Sequence, residues 1–385
     1  MIKNKILLMI VLLNLFFLMN SQNVVVVIID GARYTETFGD PNKTYIPNMA
    51  NLALEGAYCD EFYNEHITYT SQAIPALWTG GWAGTRDTIY QGNSTQYSLS
   101  PSVFEYFRKQ KDVPETQAYY TLKYVNSLWL QSFHDDYGPD YWPATISTGS
   151  SDNDVLATTL DVMENEHPQF LWVYLADVDS EGHSGIWNNY IASIENADNI
   201  VNTIWETIQA DNFYKDNTTM FVTNDHGRHD DQNGGFSGHG CSCEGCRHIM
   251  FLAVGPNIKQ NFISTDSHEI EDAAVTVSHI LDVIPEYSTG SIIDEIFTSS
   301  NVKDQSSDVN LKVVNNEVRF YLKSQSNVLV ELFNVLGQKL ETISNSNLPE
   351  GDHRIHLKTS LKGIYILRLQ SKDNTETISV YLSNK

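Results

Sequence analysis

From Asn23 to Ile29 the chain reads Asn-Val-Val-Val-Val-Ile-Ile and then turns at Asp30-Gly31. Side chains of a strand alternate between two faces, so an apolar run without alternation suits a sheet covered on both sides. It predicts a mostly parallel sheet flanked by helices, an α/β architecture. Apolar runs at Phe170 to Leu175, Met220 to Thr223 and Ile249 to Val254 supply further strands. Helical patterns fall between and after them at Pro47 to Gly56, Ser102 to Lys109, Asp154 to Glu164, Trp187 to Gln209 and Glu269 to Ile284. Strands and helices alternating in this way build βαβ units.

The two ends of the chain read differently. Lys3 and Lys5 precede an apolar run from Ile6 to Met19, and polar residues follow at Asn20 to Asn23. This is the pattern of a secretory signal peptide, residues 1–22, and the run is short of the ~20 apolar residues of a membrane span. No other stretch is long and apolar enough to span, so no membrane span is expected after signal cleavage. Thr298 to Asp308 is rich in Ser, Asp and Asn, giving a linker at 298–309. Beyond it come short alternating strands, at Leu311 to Val314, Val318 to Tyr321, Val328 to Phe333, His353 to Leu357, Gly363 to Leu369 and Glu376 to Leu382. Turn signals such as Leu336-Gly337 separate them, so residues 310–385 are expected to form a small all-β sandwich domain. Acidic residues outnumber basic ones 48 to 24, for a net charge of −24, which argues against a nucleic-acid duplex as partner.

In open α/β sheets the ligand site lies beyond the carboxyl ends of the strands. The first strand ends at Asp30. The second runs into Asp177-Val178-Asp179-Ser180-Glu181-Gly182-His183, and the third into Asn224-Asp225-His226-Gly227. Carboxylates and imidazoles together suit Zn²⁺. Two such clusters and one extra histidine point to two ions, which together clamp an in-line displacement at phosphorus; that scheme still needs a nucleophile on the first metal and one more ligand.

The order Asp30-Gly31, Thr70-Ser71-Gln72-Ala73-Ile74-Pro75-Ala76-Leu77-Trp78-Thr79-Gly80, Asp179…His183, Asp225-His226-Gly227 and His239-Gly240 resembles the alkaline phosphatase superfamily, in its nucleotide pyrophosphatase/phosphodiesterase branch. The resemblance implies a metallohydrolase domain over 23–297 and a nucleophile ten residues before Gly80, at Thr70. It implies one metal at Asp30, Thr70, Asp225 and His226 and a second at Asp179, His183 and His239. The cofactors expected are two Zn²⁺, with other divalent metals as alternatives. A threonine hydroxyl is a weak nucleophile that metal coordination activates, and attack on phosphorus gives a phosphothreonine intermediate.

Sulfatases of the superfamily carry Cys or Ser at the nucleophile position, with Pro and Arg shortly after. Here Thr70, Gln72 and Ile74 stand at those places. The expected substrate is therefore a small phosphorylated molecule, with sulfatase or phosphonate hydrolase activity as the alternative. The phosphodiesterases place an asparagine about twenty residues beyond the nucleophile. Gln91 falls at that count and Asn93 two further on, so Asn93 is a substrate-binding candidate. Arg33, Arg228 and Arg247 flank the motifs; Arg33 is the second substrate-binding candidate, and an arginine of this kind is ordinarily a solvated surface residue. A non-catalytic surface binding protein is a reading from another class, and it predicts no stoichiometric metal.

Cys241, Cys243 and Cys246 closely follow His239. In an exported protein a local disulfide stiffening this loop is expected, with a zinc knuckle that recruits His248 as the alternative. His229 and His248 are read as non-ligands of the paired metals. Finally, Val330 to Gln338, Leu348-Pro349-Glu350-Gly351 and Leu361 to Leu369 resemble the type IX secretion sorting domain of certain Gram-negative bacteria. That resemblance implies the type IX secretion machinery as partner, with export through the periplasm and outer membrane to the cell surface or the medium.

Overall fold

The structure is a computed structural model describing residues 22–123, 129–298, 311–314, 317–334, 338–357, 361, 363–372 and 375–382. The expected signal peptide, most of the linker and the Leu336-Gly337 turn lie outside the described residues. The chain divides into two compact units between Thr298 and Ser299.

The first unit runs β1 (Asn23–Ile29), α1 (Pro47–Glu55), β2 (Ala57–Tyr63), α2 (Thr70–Thr79), β3 (Thr85–Tyr90), β4 (Asn93–Ser98), α3 (Val103–Lys111), β5 (Ala118–Lys123) and β6 (Trp129–Leu130). It continues through β7 (Ala144–Thr148), α4 (Asp152–Asn165), β8 (Phe170–Leu175), α5 (Asp177–His183), α6 (Trp187–Ala210), β9 (Thr218–Thr223), α7 (Glu244–Arg247), β10 (His248–Val254), β11 (Phe262–Ser264), β12 (His268–Glu269) and α8 (Asp272–Ile280). The main sheet has the order β11-β2-β10-β9-β1-β8-β5-β7, with β12 also on β2. Strand β1 is parallel to both β8 and β9, and β5 to both β8 and β7, as the apolar runs predict. The fourth apolar run, β10, instead lies antiparallel to β9 and to β2.

The unbroken run in β1 has a direct explanation. Val24, Val26 and Ile28 enter one core with Ile74, Leu77 and Trp78 of α2, Phe104 and Phe107 of α3, and Val277 of α8. Val25, Val27 and Ile29 enter the other with Leu52 of α1, Val155 of α4 and the apolar stripe Tyr190, Ile194, Ile204 and Ile208 of α6. Each fully buried aliphatic side chain there contributes about 1.5–3 kcal/mol. This is the α/β fold expected, a mostly parallel sheet with helices on both faces.

One helix differs from expectation. The helix expected over Glu269 to Ile284 is confined to Asp272–Ile280, because Glu269 pairs with Tyr63 in the sheet and Asp282 adopts a left-handed conformation. The Asp179 motif, into which the strand Phe170–Leu175 runs, is the short helix α5.

The second unit contains β13 (Lys312–Val314), β14 (Glu317–Leu322), β15 (Ser326–Phe333), β16 (Lys339–Leu348), β17 (Gly351–His356), β18 (Gly363–Gln370) and β19 (Thr375–Leu382). They form antiparallel sheets β13-β14-β17 and β16-β15-β18-β19. Val318 and Phe320 of one sheet share a core with Val330, Leu332, Leu367 and Leu369 of the other, the expected small all-β sandwich.

Candidate active site

Parallel register brings three strand ends to one edge. Ile29 pairs with Leu175 and Ile28 with Thr223, so Asp30, the start of α5 and the Asn224-Asp225-His226 segment leave the sheet together. Asn224 ties them: its Nδ2 donates to Ala32 O at 2.9 Å and His226 O at 2.8 Å, and its Oδ1 accepts from Met250 N at 2.8 Å. The carbonyl of Asp225 accepts from Asn64 Nδ2 at 2.9 Å. Neither asparagine stands out by spacing, although Asn224 adjoins the Asp-His pair.

All seven expected metal-site residues converge here. Asp30, Asp225 and His226 lie at the buried floor, Thr70, Asp179 and His239 are half-buried, and His183 is exposed at the rim. His226 Nε2 sits 3.0 Å from Thr70 Oγ1 and 3.5 Å from both Asp30 Oδ1 and Asp225 Oδ2. Beside it, His183 Nε2 lies 3.0 Å from His239 Nε2 and 3.4 Å from Asp179 Oδ2, and His239 Nε2 lies 3.6 Å from Asp179 Oδ1. The His226 and His239 rings stack at 4.1 Å, joining the two sets. Donor atoms of Asp30, Asp225 and His226 all lie within 4.8 Å of one another, and so do those of Asp179, His226 and His239.

The donor chemistry fits cations. Asp30 Oδ1 and Asp225 Oδ2 are buried without a hydrogen-bond partner, a costly state for carboxylates unless a positive charge stands between them. His226 Nδ1 donates to Gly227 O at 2.9 Å and His239 Nδ1 to Thr68 O at 2.9 Å, which leaves both Nε2 lone pairs free for coordination. Burial, then the Asp225 and Asp179 charges, hold Asp30 well above the usual carboxylate range. Burial foremost pushes Asp225 up to about 7. Burial would also raise Asp179, but His226, Arg228 and His183 outweigh it and lower the group. Burial, then His226, depress His239 to about 4.

Thr70 is the first residue of α2, with Tyr69 as N-cap, so its hydroxyl stands at the positive end of a ten-residue helix. Tyr174, which sequence reasoning missed inside an apolar strand, donates its hydroxyl to Asp30 Oδ2. Gly31, at φ +69°, admits close neighbours: a Cβ there would lie 2.8 Å from Arg228 Nη1 and 2.9 Å from Asp179 Oδ1.

The arginines behave unlike solvated residues. Arg228 is fully buried and donates from Nη1 to Asp179 Oδ1 at 2.6 Å. Arg33 is also buried; its Nε and Nη2 grip Glu36 at 2.7 and 2.8 Å, and Nη1 reaches Asp231 at 3.0 Å. Its charge is thus already matched by two carboxylates. Arg247 pairs with Glu65. Asn93 is exposed, directly after the Gln91-Gly92 turn of the β3–β4 hairpin, and among the described residues no hydrogen bond joins it to the seven. His248 is stacked between Tyr34 at 3.6 Å and Tyr63 at 4.5 Å, away from any ligand role with the cysteines. Cys241 and Cys243 form a local disulfide, while Cys59 and Cys246 are buried thiols.

Residues 140–290 match the metalloenzyme superfamily, and residues 302–382 match the secretion-system C-terminal sorting domain. No curated protein matches the chain in sequence. Among solved structures, murine ectonucleotide pyrophosphatase/phosphodiesterase 5 aligns with a TM-score of 0.55 at 15% identity, over 72% of this chain and 100% of that one. The phosphonate monoester hydrolase of Agrobacterium radiobacter gives 0.53 at 11% identity, over 79% of this chain and 81% of that one. A sulfatase from Pseudoalteromonas sp. gives 0.51 at 13% identity, over 87% and 84%. These likenesses are of fold. Among the described residues no helix is long and apolar enough to cross a membrane, and the sorting domain marks the chain for the cell surface or secretion. The chain thus carries an alkaline phosphatase-like metalloenzyme-superfamily domain, matched over residues 140–290, and a C-terminal type IX secretion sorting domain over residues 302–382.

Proposed function

We propose that the protein is an exported phosphoester hydrolase, most like a phosphodiesterase, in which Thr70 attacks phosphorus. One observation carries this reading: the Thr70 hydroxyl lies 3.0 Å from His226 Nε2, where the unpartnered oxygens of two buried aspartates also converge. Asp30, Thr70, Asp225 and His226 would hold one divalent ion, and Asp179, His183 and His239 a second, zinc in both places. Such ions supply Lewis-acid charge to the phosphoryl oxygens and lower the pKa of a hydroxyl or water. The protein's own part is orientation. Backbone carbonyls fix the tautomers of His226 and His239, Tyr174 holds Asp30, and the N-terminus of α2 favours negative charge at Thr70. The Thr70 alkoxide forms a bond to phosphorus as the bond to the leaving-group oxygen breaks, and water then cleaves the phosphothreonine and restores the hydroxyl.

Charge accounting favours a diester over a monoester. A monoester dianion calls for a free cationic side chain, yet Arg33, Arg228, Arg247 and Lys123 are each matched by a carboxylate. A structure of the murine neighbour was solved in complex with AMP, which supports testing nucleotide esters. The assay compares bis-p-nitrophenyl phosphate, p-nitrophenyl phosphate and p-nitrophenyl sulfate, using the wild type and Thr70→Ala. Hydrolysis of the diester above the others, lost by at least about 10³-fold in Thr70→Ala, is expected. Turnover of the sulfate alone would replace this reading with the sulfatase alternative.

A further inference from the structure

Between β9 and β10 the chain makes a long excursion, and at its base four donor atoms cluster that the active site does not use. Sγ of Cys241, Cys243 and Cys246 and Nδ1 of His229 all lie within 4.8 Å of one another. His229 Nδ1 faces the three sulfurs at 3.0, 3.8 and 3.4 Å, and Cys241 Sγ lies 3.6 Å from Cys246 Sγ. An imidazole nitrogen has one lone pair, or one proton, to share. Three sulfurs around it exceed what hydrogen bonding uses.

The three nitrogen–sulfur separations and the Cys241–Cys246 separation are near those of a tetrahedral ion, whereas Cys241 and Cys243 stand at bonding distance and would have to part. With Zn–S of about 2.3 Å and Zn–N of about 2.0 Å, the edges of a Cys₃His tetrahedron are about 3.8 Å between sulfurs and about 3.5 Å between nitrogen and sulfur. Spacing of Cys-x-Cys-x-x-Cys keeps the three sulfurs on one tight loop, while His229 arrives from the strand side, held by its N–H to Gly238 O at 2.8 Å. The backbone supports thiolates as well: Cys243 N donates to Cys241 Sγ at 3.2 Å, and the N–H groups of Gly240 and Cys241 bond to Cys246 Sγ.

We propose that His229, Cys241, Cys243 and Cys246 form a structural zinc site, distinct from the paired metals of the catalytic cleft. The three thiols lose their protons on coordination, and the net charge of −1 that results stands near the buried Arg228. This site accounts for the cluster more fully than the Cys241–Cys243 disulfide, which leaves a buried thiol at Cys246 and, among the described residues, His229 Nδ1 facing sulfur atoms. The two arrangements exclude one another, since a sulfur in a disulfide is not a thiolate ligand. The site's role is to close the loop that presents His239, whose neighbour Cys241 also receives a 3.0 Å hydrogen bond at its carbonyl from Thr68, two residues before Thr70.

Cobalt reads this site without reading the catalytic one, because the seven catalytic-site residues include no sulfur. The full chain, purified with a non-thiol reductant and loaded with Co²⁺, is expected to show sulfur-to-cobalt charge-transfer absorption in the near ultraviolet. The band and one equivalent of zinc are lost in Cys246→Ser. His229→Cys is expected to keep both as a four-thiolate site, which a merely space-filling histidine would not permit. An Asp30→Asn/Asp225→Asn variant is expected to keep the band whatever becomes of hydrolysis, so failure here and failure of the catalytic reading are separable. Absence of the band in the reduced wild-type chain, or a Cys241–Cys243 disulfide in the peptide map of the metal-loaded chain, overturns the proposal.

Discussion

Arg228 Nη1 donates to Asp179 Oδ1 at 2.6 Å from a position with no solvent exposure, so an acidic group of the open cleft is oriented by a guanidinium from beneath it. The same guanidinium donates from Nε to Phe236 O and from Nη2 to Ser237 O at 3.3 Å. Gly182 makes room for it, since a Cβ there would stand 2.8 Å from Arg228 Nη1 and closer still to the rest of the fork.

Arg228 therefore acts as a positioning residue. Arg228→Met leaves Asp179 without its partner and is expected to destabilise the metal-free chain by about 3 kcal/mol, less where solvent reaches Asp179. In the metal-loaded enzyme kcat should fall by ~10–100-fold with KM little changed. Lysine, a point charge without the planar fork, should not restore it. Gly182→Ala should show the same pattern. Wild-type rates in Arg228→Met would remove Arg228 from this role.

The floor of the site predicts a pH dependence of known sign. Burial raises Asp225 to about 7 and holds Asp30 high, so both bind protons more readily folded than unfolded. In the metal-free chain the stability this contributes is full below the unfolded value of about 4, and it is lost as pH rises through about 7. Asp225→Asn removes the charge. With chelator present, it should match the wild type near pH 4 and exceed it by roughly 2–4 kcal/mol above pH 7. All 7 tryptophans precede Thr298, so their fluorescence follows the first unit alone during urea unfolding. Equal pH slopes for the two proteins would contradict the assignment.

The sorting domain predicts a separation of delivery from chemistry. Its sandwich has its own apolar core of Val318, Phe320, Val330, Leu332, Leu367 and Leu369. Deleting residues 310–385 should leave kcat/KM on a diester unchanged within about twofold while the protein accumulates in the periplasm. Fractionation of cells checks this, and normal surface delivery of the shortened chain would count against the role of the tail.

Much of this arrangement was legible because parallel strands end in register. Unbroken runs such as Val24 to Ile29 announce strands covered on both faces, and whatever follows each run lands on one edge. That is how Asp30, Asp179 and Asp225 come together from distant positions. The elements that escaped notice lack such runs: β2 mixes Asp60 and Glu61 into Ala57–Tyr63, and half-exposed β7 is Ala-Thr-Ile-Ser-Thr. Nothing local sets the direction of β10, which depends on its route back from the cysteine loop. Arg228 and Arg33 read as solvated because their counter-charges, Asp179 and Asp231, are not visible as partners until the chain folds. His229 was likewise hidden as a companion of Cys241, twelve residues away.

The most direct test is anomalous diffraction at the zinc edge from crystals of the zinc-loaded chain. The account predicts one peak among Asp30, Thr70, Asp225 and His226 and a second among Asp179, His183 and His239. An absence of anomalous density at both positions would contradict it.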